Sequence, residues 1–363
     1  MRPVSGDSFT EMLERYGEAH PPSMRYDGDG DFSAWQRRFR ETVLTLRGMV
    51  PDRVAGEPEV VEEVDVGDHT RIRMRLPVSE ASRPTVHLLV PKGIEGGEKR
   101  AGIVVYHGHE RDVDAICGVV AANSGADNVE DAPPVPGQRP VSREDRRAEQ
   151  DDFERRSYAR VAVREGYIVL ALPLWGWVGR DGHGDLIRRR DPCNVIGMAA
   201  GMYGMNPLAL HLQDGEPALD YLASRPDVDA ERLGCIGNST GGRNTMWLAA
   251  LDERVKACVP SGCMNTFRER SLKLSSCGIQ YFPGLLQYGD VTELFSLIAP
   301  RAMQLQAGEG DALITATDRD GIETDVRAAY ERLGAGGRFG YVLHPHGHLL
   351  EWEAARAFLE SEL

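Results

Sequence analysis

The run Leu233-Gly234-Cys235-Ile236-Gly237-Asn238-Ser239-Thr240-Gly241-Gly242 passes from a β-rich segment through a glycine-rich turn into Arg243-Asn244-Thr245-Met246-Trp247-Leu248-Ala249-Ala250-Leu251, which is helical in composition. A strand that turns sharply and re-enters as a helix needs small residues where the backbone segments close up, and Gly237, Gly241 and Gly242 supply them. Ser239 at the apex then stands exposed at the carboxyl edge of a sheet, beside the N–H groups and positive dipole end of the helix start. The plain alternative is a glycine-rich turn with a helix-capping serine. The strand before it and the helix after it favour a nucleophile.

Runs of the same kind recur on both sides of this turn. Short apolar stretches at 102–106, 167–172, 233–236, 257–259, 302–306 and 339–343 alternate with helical segments at 153–165, 208–224, 240–251, 322–333 and 351–362. Continuous apolar strands joined by crossover helices are how a parallel sheet covered on both faces reads in sequence. Upstream, 60–66 and 71–77 alternate around Gly67-Asp68, a hairpin signal, and 85–90 ends at Pro91, so these three predict an antiparallel edge. The fold class is α/β, a mostly parallel sheet flanked by helices. Phe32, Trp35, Phe39, Val43 and Leu46 recur at helical spacing, which makes 1–54 an N-terminal helical extension and 55–363 the main domain. Two stretches interrupt the alternation: 110–150, charged and proline-marked, and 176–206, rich in Gly, Arg and Met. Both are expected to be loop or lid insertions.

A serine hydroxyl is a weak nucleophile until a base takes its proton, so a histidine must come from elsewhere in the chain. His348, in His344-Pro345-His346-Gly347-His348, follows the last strand and so leaves the sheet at the same edge as Ser239; His344 and His346 are its competitors. An acid must hold that imidazole in its working tautomer. Asp311, in Gly308-Glu309-Gly310-Asp311 after the strand 302–306, emerges at that edge too, with Glu309 as the alternative. An oxyanion hole is expected from the backbone N–H of Thr240 and that of His109, in the loop His107-Gly108-His109. Trp175 and Trp177 follow the strand 167–172 and are expected as a wall for substrate.

Composition bounds the partners. With 41% hydrophobic and 27% charged residues over 363 positions, intrinsic disorder is excluded. Forty-two Lys and Arg against 56 Asp and Glu leave a net charge of -14, which repels polyphosphate, so no nucleic acid partner is expected. The apolar runs are strand-sized, far below the ~20 residues that span a bilayer, and residues 1–10 lack the apolar core of a secretory signal. No membrane association and a cytoplasmic location are expected; a homo-oligomer stays open. The six cysteines, at 117, 193, 235, 258, 263 and 277, form no CxxC pairs and are expected as packed thiols. His107, His109 and His183 lack the spacing of a helical zinc motif, so no metal and no cofactor are expected.

The chain resembles the α/β-hydrolase superfamily, and within it the bacterial branch of dienelactone hydrolases and acetyl xylan esterases. The likeness is carried by His107-Gly108-His109, by Asp220-Tyr221-Leu222-Ala223-Ser224-Arg225-Pro226 leading into Gly237 to Gly242, by Ala299-Pro300-Arg301, by Gly308 to Asp311, and by Gly347-His348. It covers roughly residues 55–363 and implies an eight-stranded, mostly parallel sheet and Ser-His-Asp hydrolysis of an ester. Two departures stand out. Dienelactone hydrolases use cysteine where this chain has Ser239, and glucuronoyl esterases, also similar, place Arg after the nucleophile where this chain has Thr240. Arg243, four residues after Ser239, is the candidate substrate contact instead, with a solvated or structural salt-bridge role as the alternative. The expected activity is a serine carboxylesterase acting on a small-molecule ester, with peptidase or amidase, acyl transfer or cyclisation, and a non-catalytic binding protein as alternatives.

Overall fold

The computed structural model describes residues 8–26, 28, 30–109, 112–119, 155–177, 180, 192–272 and 277–363. Most of the expected insertion 110–150, and 181–191 of the other with His183, lie outside the described residues.

Nine strands form one sheet: β1 (Glu59–Asp65), β2 (His69–Arg75), β3 (Thr85–Pro91), β4 (Arg100–Tyr106), β5 (Ile168–Leu172), β6 (Val228–Asn238), β7 (Val255–Ser261), β8 (Ala302–Gly308) and β9 (Phe339–His344). Their order is β1-β2-β3-β5-β4-β6-β7-β8-β9. The pairs β1/β2, β2/β3 and β3/β5 are antiparallel, and every later pair is parallel. The sheet has one strand more than the eight the resemblance implies. The extra strand is an edge: β1 is exposed along nearly all its length and carries Glu59, Glu62, Glu63 and Asp65. Acidic side chains on a free edge discourage pairing with another chain.

Period-2 alternation in β4 divides the interior into two layers. Val104 and Tyr106 face one apolar cluster, Ala101, Ile103 and Val105 the other, and all five are buried. Helix α1 (Phe9–Ala19) buries no residue, and the other helices divide between the two layers. On the first lie α2 (Phe32–Thr45), α6 (Pro207–Ser224), α7 (Thr240–Leu251) and α10 (Ala316–Arg332); on the other lie α3 (Val113–Ile116), α4 (Tyr158–Arg164) and α11 (Trp352–Glu362). Three shorter or peripheral helices complete the described chain: α5 (Pro192–Met202), α8 (Phe267–Leu272) and α9 (Val291–Ser296). No helix among the described residues is long and apolar enough to cross a membrane.

The apolar stripe read from the N-terminal segment is the buried face of α2. Phe32, Trp35, Phe39 and Val43 pack into the first layer, while Leu46 packs at its margin. Each large apolar side chain fully buried contributes roughly 1.5–3 kcal/mol. Polar anchoring adds direction: Gln36 Nε2 donates to the carbonyls of Ser296 at 2.8 Å and Ala299 at 2.7 Å.

Candidate active site

The carboxyl ends of β4, β6, β7, β8 and β9 meet along one rim. Ser239, between β6 and α7, has φ 60° and ψ −120°, and among the described residues it alone combines a positive φ with a side chain. Such a conformation costs about 1–3 kcal/mol and persists because its surroundings over-determine it. The Ser239 N–H donates to the Ser261 carbonyl at 2.9 Å, tying the turn to the end of β7. A Cβ on Gly237 would lie 2.5 Å from the Gly241 backbone, and one on Gly241 or Gly242 would overlap the carbonyl oxygens of Tyr106 or Ser261. The glycines of the motif are therefore required by backbone contact.

His348 Nδ1 lies 2.6 Å from Asp311 Oδ2, and the Asp311 side chain is wholly buried while that of His348 is 22% exposed. Asp311 Oδ1 accepts from the Leu313 N–H at 2.9 Å, so both carboxylate oxygens are engaged. Glu309 is exposed, His344 ends β9 and is buried, and the His346 ring lies tilted against it, 5.7 Å between centroids. Of the competitors, the chain thus pairs Asp311 with His348. The His348 ring sits over Gly262, where an added Cβ would fall 3.0 Å from its Cε1. Gly262 directly follows Ser261, the acceptor for Ser239, so the imidazole lies beside the elbow. His348 Nε2 is buried and has no hydrogen-bond partner, which leaves that nitrogen available to a hydroxyl.

Thr240 opens α7, and the amide of a first helical residue has no acceptor within its own helix. Facing it is the loop after β4. His107 there is fully buried: its Nδ1–H donates to the Gly108 carbonyl at 2.8 Å and its Nε2 accepts from the Leu174 N–H at 3.0 Å. A neutral imidazole used this way fixes the loop that carries the His109 amide. His211 does the same for the next residue, accepting from the Trp175 N–H at 3.0 Å, and burial holds its pKa well below the ordinary value. Nothing in local sequence pattern marks either histidine for this work.

Trp177 presents its edge to the rings of His107 and His109, at 5.6 and 5.1 Å between centroids, and its Nε1–H reaches the His109 carbonyl at 3.4 Å. It thus sits against the loop that carries the His109 amide. Trp175 departs from the expected wall: its indole is covered by the Arg180 guanidinium 3.6 Å from the ring centroid, and Arg180 in turn pairs with buried Asp214. Arg243 also departs from expectation. It is 1% exposed, lies 4.5 Å over the Phe267 ring and donates through Nη2 to the backbone and side-chain oxygens of Asn265. Burial lowers its pKa to about 10. One helical turn beyond Ser239, its side chain runs into the core and anchors the loop after β7.

A further cluster joins residues remote in sequence. His109 Nε2 lies 3.2 Å from Cys193 Sγ on α5 and 3.3 Å from Cys277 Sγ. The hydrogen bond from Cys193, and then that from His109, overcome burial to bring the Cys277 thiol down to about 5. The expectation of no metal-binding set rested on local spacing, and spacing is blind to donors drawn from three segments. A cavity of about 600 Å³ lies elsewhere, beneath α1, lined by Leu13, Tyr16, Phe267, Tyr281 and Leu285, and holds none of these groups.

The sheet order, the strained serine between β6 and α7, and the chain order Ser239, Asp311, His348 are those of the α/β-hydrolase fold. Residues 210–296 match the family described as BAAT / Acyl-CoA thioester hydrolase C terminal. A Bacillus subtilis (strain 168) protein described as "Putative hydrolase YtaP" is 34% identical over 206 residues, 54% of this chain and 66% of that relative, so the match spans just under two thirds of the relative's length. Among solved structures, the Bacteroides fragilis protein described as a "putative acetyl xylan esterase" superposes with a TM-score of 0.77 at 15% identity, covering 100% of this chain and 97% of its own. A glucuronoyl esterase from Solibacter usitatus superposes at 0.65 with 17% identity, covering 94% and 97%. At such identities the likeness is one of fold.

Proposed function

We propose that the chain is a serine hydrolase that cleaves a carboxylic ester through an acyl-enzyme. The observation that carries this reading is the His348–Asp311 pair seated over Gly262, beside a serine held at positive φ. Ser239 Oγ attacks the ester carbonyl carbon while its proton passes to His348 Nε2. Asp311, through its 2.6 Å contact, orients the ring and stabilises the imidazolium. The carbonyl oxygen becomes an oxyanion and accepts from the amides of Thr240 and His109; losing one such donor typically lowers turnover by about 10²–10³. His348 returns the proton to the leaving alkoxide, and the alcohol departs. Water, deprotonated by the same nitrogen, then releases the acid and regenerates Ser239.

The preferred substrate is an acetyl or other small acyl or alkyl ester of a sugar or secondary metabolite; the sugar-ester part is supported by the names of two structural neighbours, an acetyl xylan esterase and a glucuronoyl esterase. A second reading, hydrolysis of an acyl thioester, is favoured by one observation: the match to the family described as BAAT / Acyl-CoA thioester hydrolase C terminal spans the elbow. The test is a panel of acetyl, methyl and longer acyl esters, amides and acyl thioesters, assayed with wild type and Ser239→Ala, together with fluorophosphonate labelling. Ester turnover lost in the variant, with one adduct on Ser239, supports hydrolysis. Equal turnover in both proteins refutes it, and product appearing only with an added alcohol or amine acceptor favours transfer.

A further inference from the structure

The Cys193, Cys277 and His109 cluster is not used by the proposed mechanism, which needs only the main chain of His109. Its three donor atoms all lie within 4.8 Å of one another, and both sulfurs are buried. Zinc with bonds of about 2.3 Å to sulfur and about 2.0–2.1 Å to nitrogen, at tetrahedral angles, sets edges of roughly 3.6 Å between nitrogen and sulfur. The observed 3.2 and 3.3 Å fall a few tenths of an ångström inside those edges. Rotamer-scale relaxation of the side chains would open the space an ion needs.

The surroundings are those of a ligand set. His109 Nδ1 is hydrogen-bonded to Thr240 Oγ1, which also accepts from Gln280 Nε2 at 2.7 Å. When Nδ1 donates to that hydroxyl, Nε2 turns a lone pair toward both sulfurs, and an outer partner of this kind is what orients ligating imidazoles. Ile279 packs with the two cysteines, and Trp177 and Ile196 pack against them, forming a dry wall. His109 itself is exposed, so a fourth position opens toward solvent.

We propose that His109 Nε2, Cys193 Sγ and Cys277 Sγ bind one Zn²⁺ ion, with solvent in the fourth position. Two thiolates and one imidazole suit a soft, borderline cation and not Mg²⁺ or Ca²⁺, which take oxygen ligands. Binding forms two Zn–S bonds and one Zn–N bond and releases to solvent whatever protons the thiols carry; with two thiolates the site is electrically neutral. The ion joins α5, the loop before Ile279 and the His109 loop, and so braces the amide proposed as oxyanion donor.

The inference stands apart from ester hydrolysis and is tested by metal chemistry. The full chain is purified with a thiol-free reductant, stripped with a chelator and titrated with Co²⁺. Expected are thiolate-to-cobalt charge-transfer bands saturating at one ion per chain, and their loss when Zn²⁺ is added. Zinc should also shield Cys193 and Cys277 from iodoacetamide, read by peptide mass spectrometry. Cys193→Ser and Cys277→Ser should each weaken binding by more than the roughly 10- to 100-fold that losing an outer partner brings. The absence of saturable charge-transfer bands, unshielded cysteines, or undiminished binding in both variants would overturn the site. Should the variants fail to fold, shielding in the wild-type chain decides.

Discussion

Asp311→Asn is the sharpest probe of the catalytic arrangement. The substituted amide keeps the size of the carboxylate at a position 2.6 Å from His348 Nδ1, where the side chain is wholly buried. Its Nδ2–H is set to donate to Nδ1, which moves the imidazole proton to Nε2, the nitrogen that must accept from Ser239. The acid that should balance the imidazolium is removed at the same time. In the triad template this change lowers kcat by about 10⁴, which is about 5.5 kcal/mol of barrier at about 1.36 kcal/mol per tenfold. A charge-assisted hydrogen bond to stability is worth about 1.5–3 kcal/mol, so the variant should melt earlier yet stay folded at assay temperature. The assay is kcat for an aryl acetate, with circular dichroism melting in parallel and Glu309→Gln as the matched control. Exposed Glu309 should keep kcat within about twofold. Residual activity above about a tenth in Asp311→Asn, or an equal loss in Glu309→Gln, would refute the assignment.

Three further outcomes follow from the geometry. Ser239→Gly should abolish turnover and yet raise Tm by about 2 °C, since about 1 kcal/mol or more of strain at φ 60° is relieved; an unchanged or lower Tm would deny the strain. Asp214→Ala strands Arg180, whose side chain is 5% exposed, and should destabilise by about 3–5 kcal/mol, whereas Asp214→Leu with Arg180→Met should recover much of the loss in denaturant titration. In chelator-treated protein, iodoacetamide should modify Cys277 at a nearly constant rate from about pH 8 down to about pH 6, because its thiol is lowered to about 5 and the thiolate is lost only as pH falls through that value. Cys258 and Cys263, pushed up to about 12 and about 11 by burial, should stay unreactive over that window. A tenfold fall in Cys277 labelling between about pH 8 and 7 would contradict the shift.

How much was legible in the sequence follows from the range of the interactions involved. Strands β4, β5, β7, β8 and the carboxyl half of β6 show because burial on both faces forces continuous apolar runs, and the elbow shows because backbone contacts at Gly237, Gly241 and Gly242 leave a compositional trace. Asp311 and His348 could be placed at one rim because parallel strands all release their following loops at the same side. Side-chain direction is a different matter. Arg243 lies four residues from Ser239, yet the start of α7 is so enclosed that its side chain runs inward to Asn265. Trp175 and Trp177 differ by two positions, and only the buried Arg180–Asp214 pair decides that the first is covered. The work of His107 and His211, as acceptors for backbone amides, depends on partners 67 and 36 residues away and leaves no local pattern. The Cys193, Cys277 and His109 cluster is legible only once α5 and the loop before Ile279 are seen to close on the end of β4.

The parallel strands release their loops on a single side, and this separates two kinds of evolutionary freedom. The interior layers and the glycine contacts tolerate almost no change in shape. The segments leaving β4, β5, β7 and β8 start at the rim that carries Ser239, and although Val113, Leu174, Met264 and Phe267 tie them into the layers, their exposed positions can change without disturbing either. Diversification of what such a chain recognises can therefore proceed by swapping these outer segments, while the machinery beneath them is inherited intact.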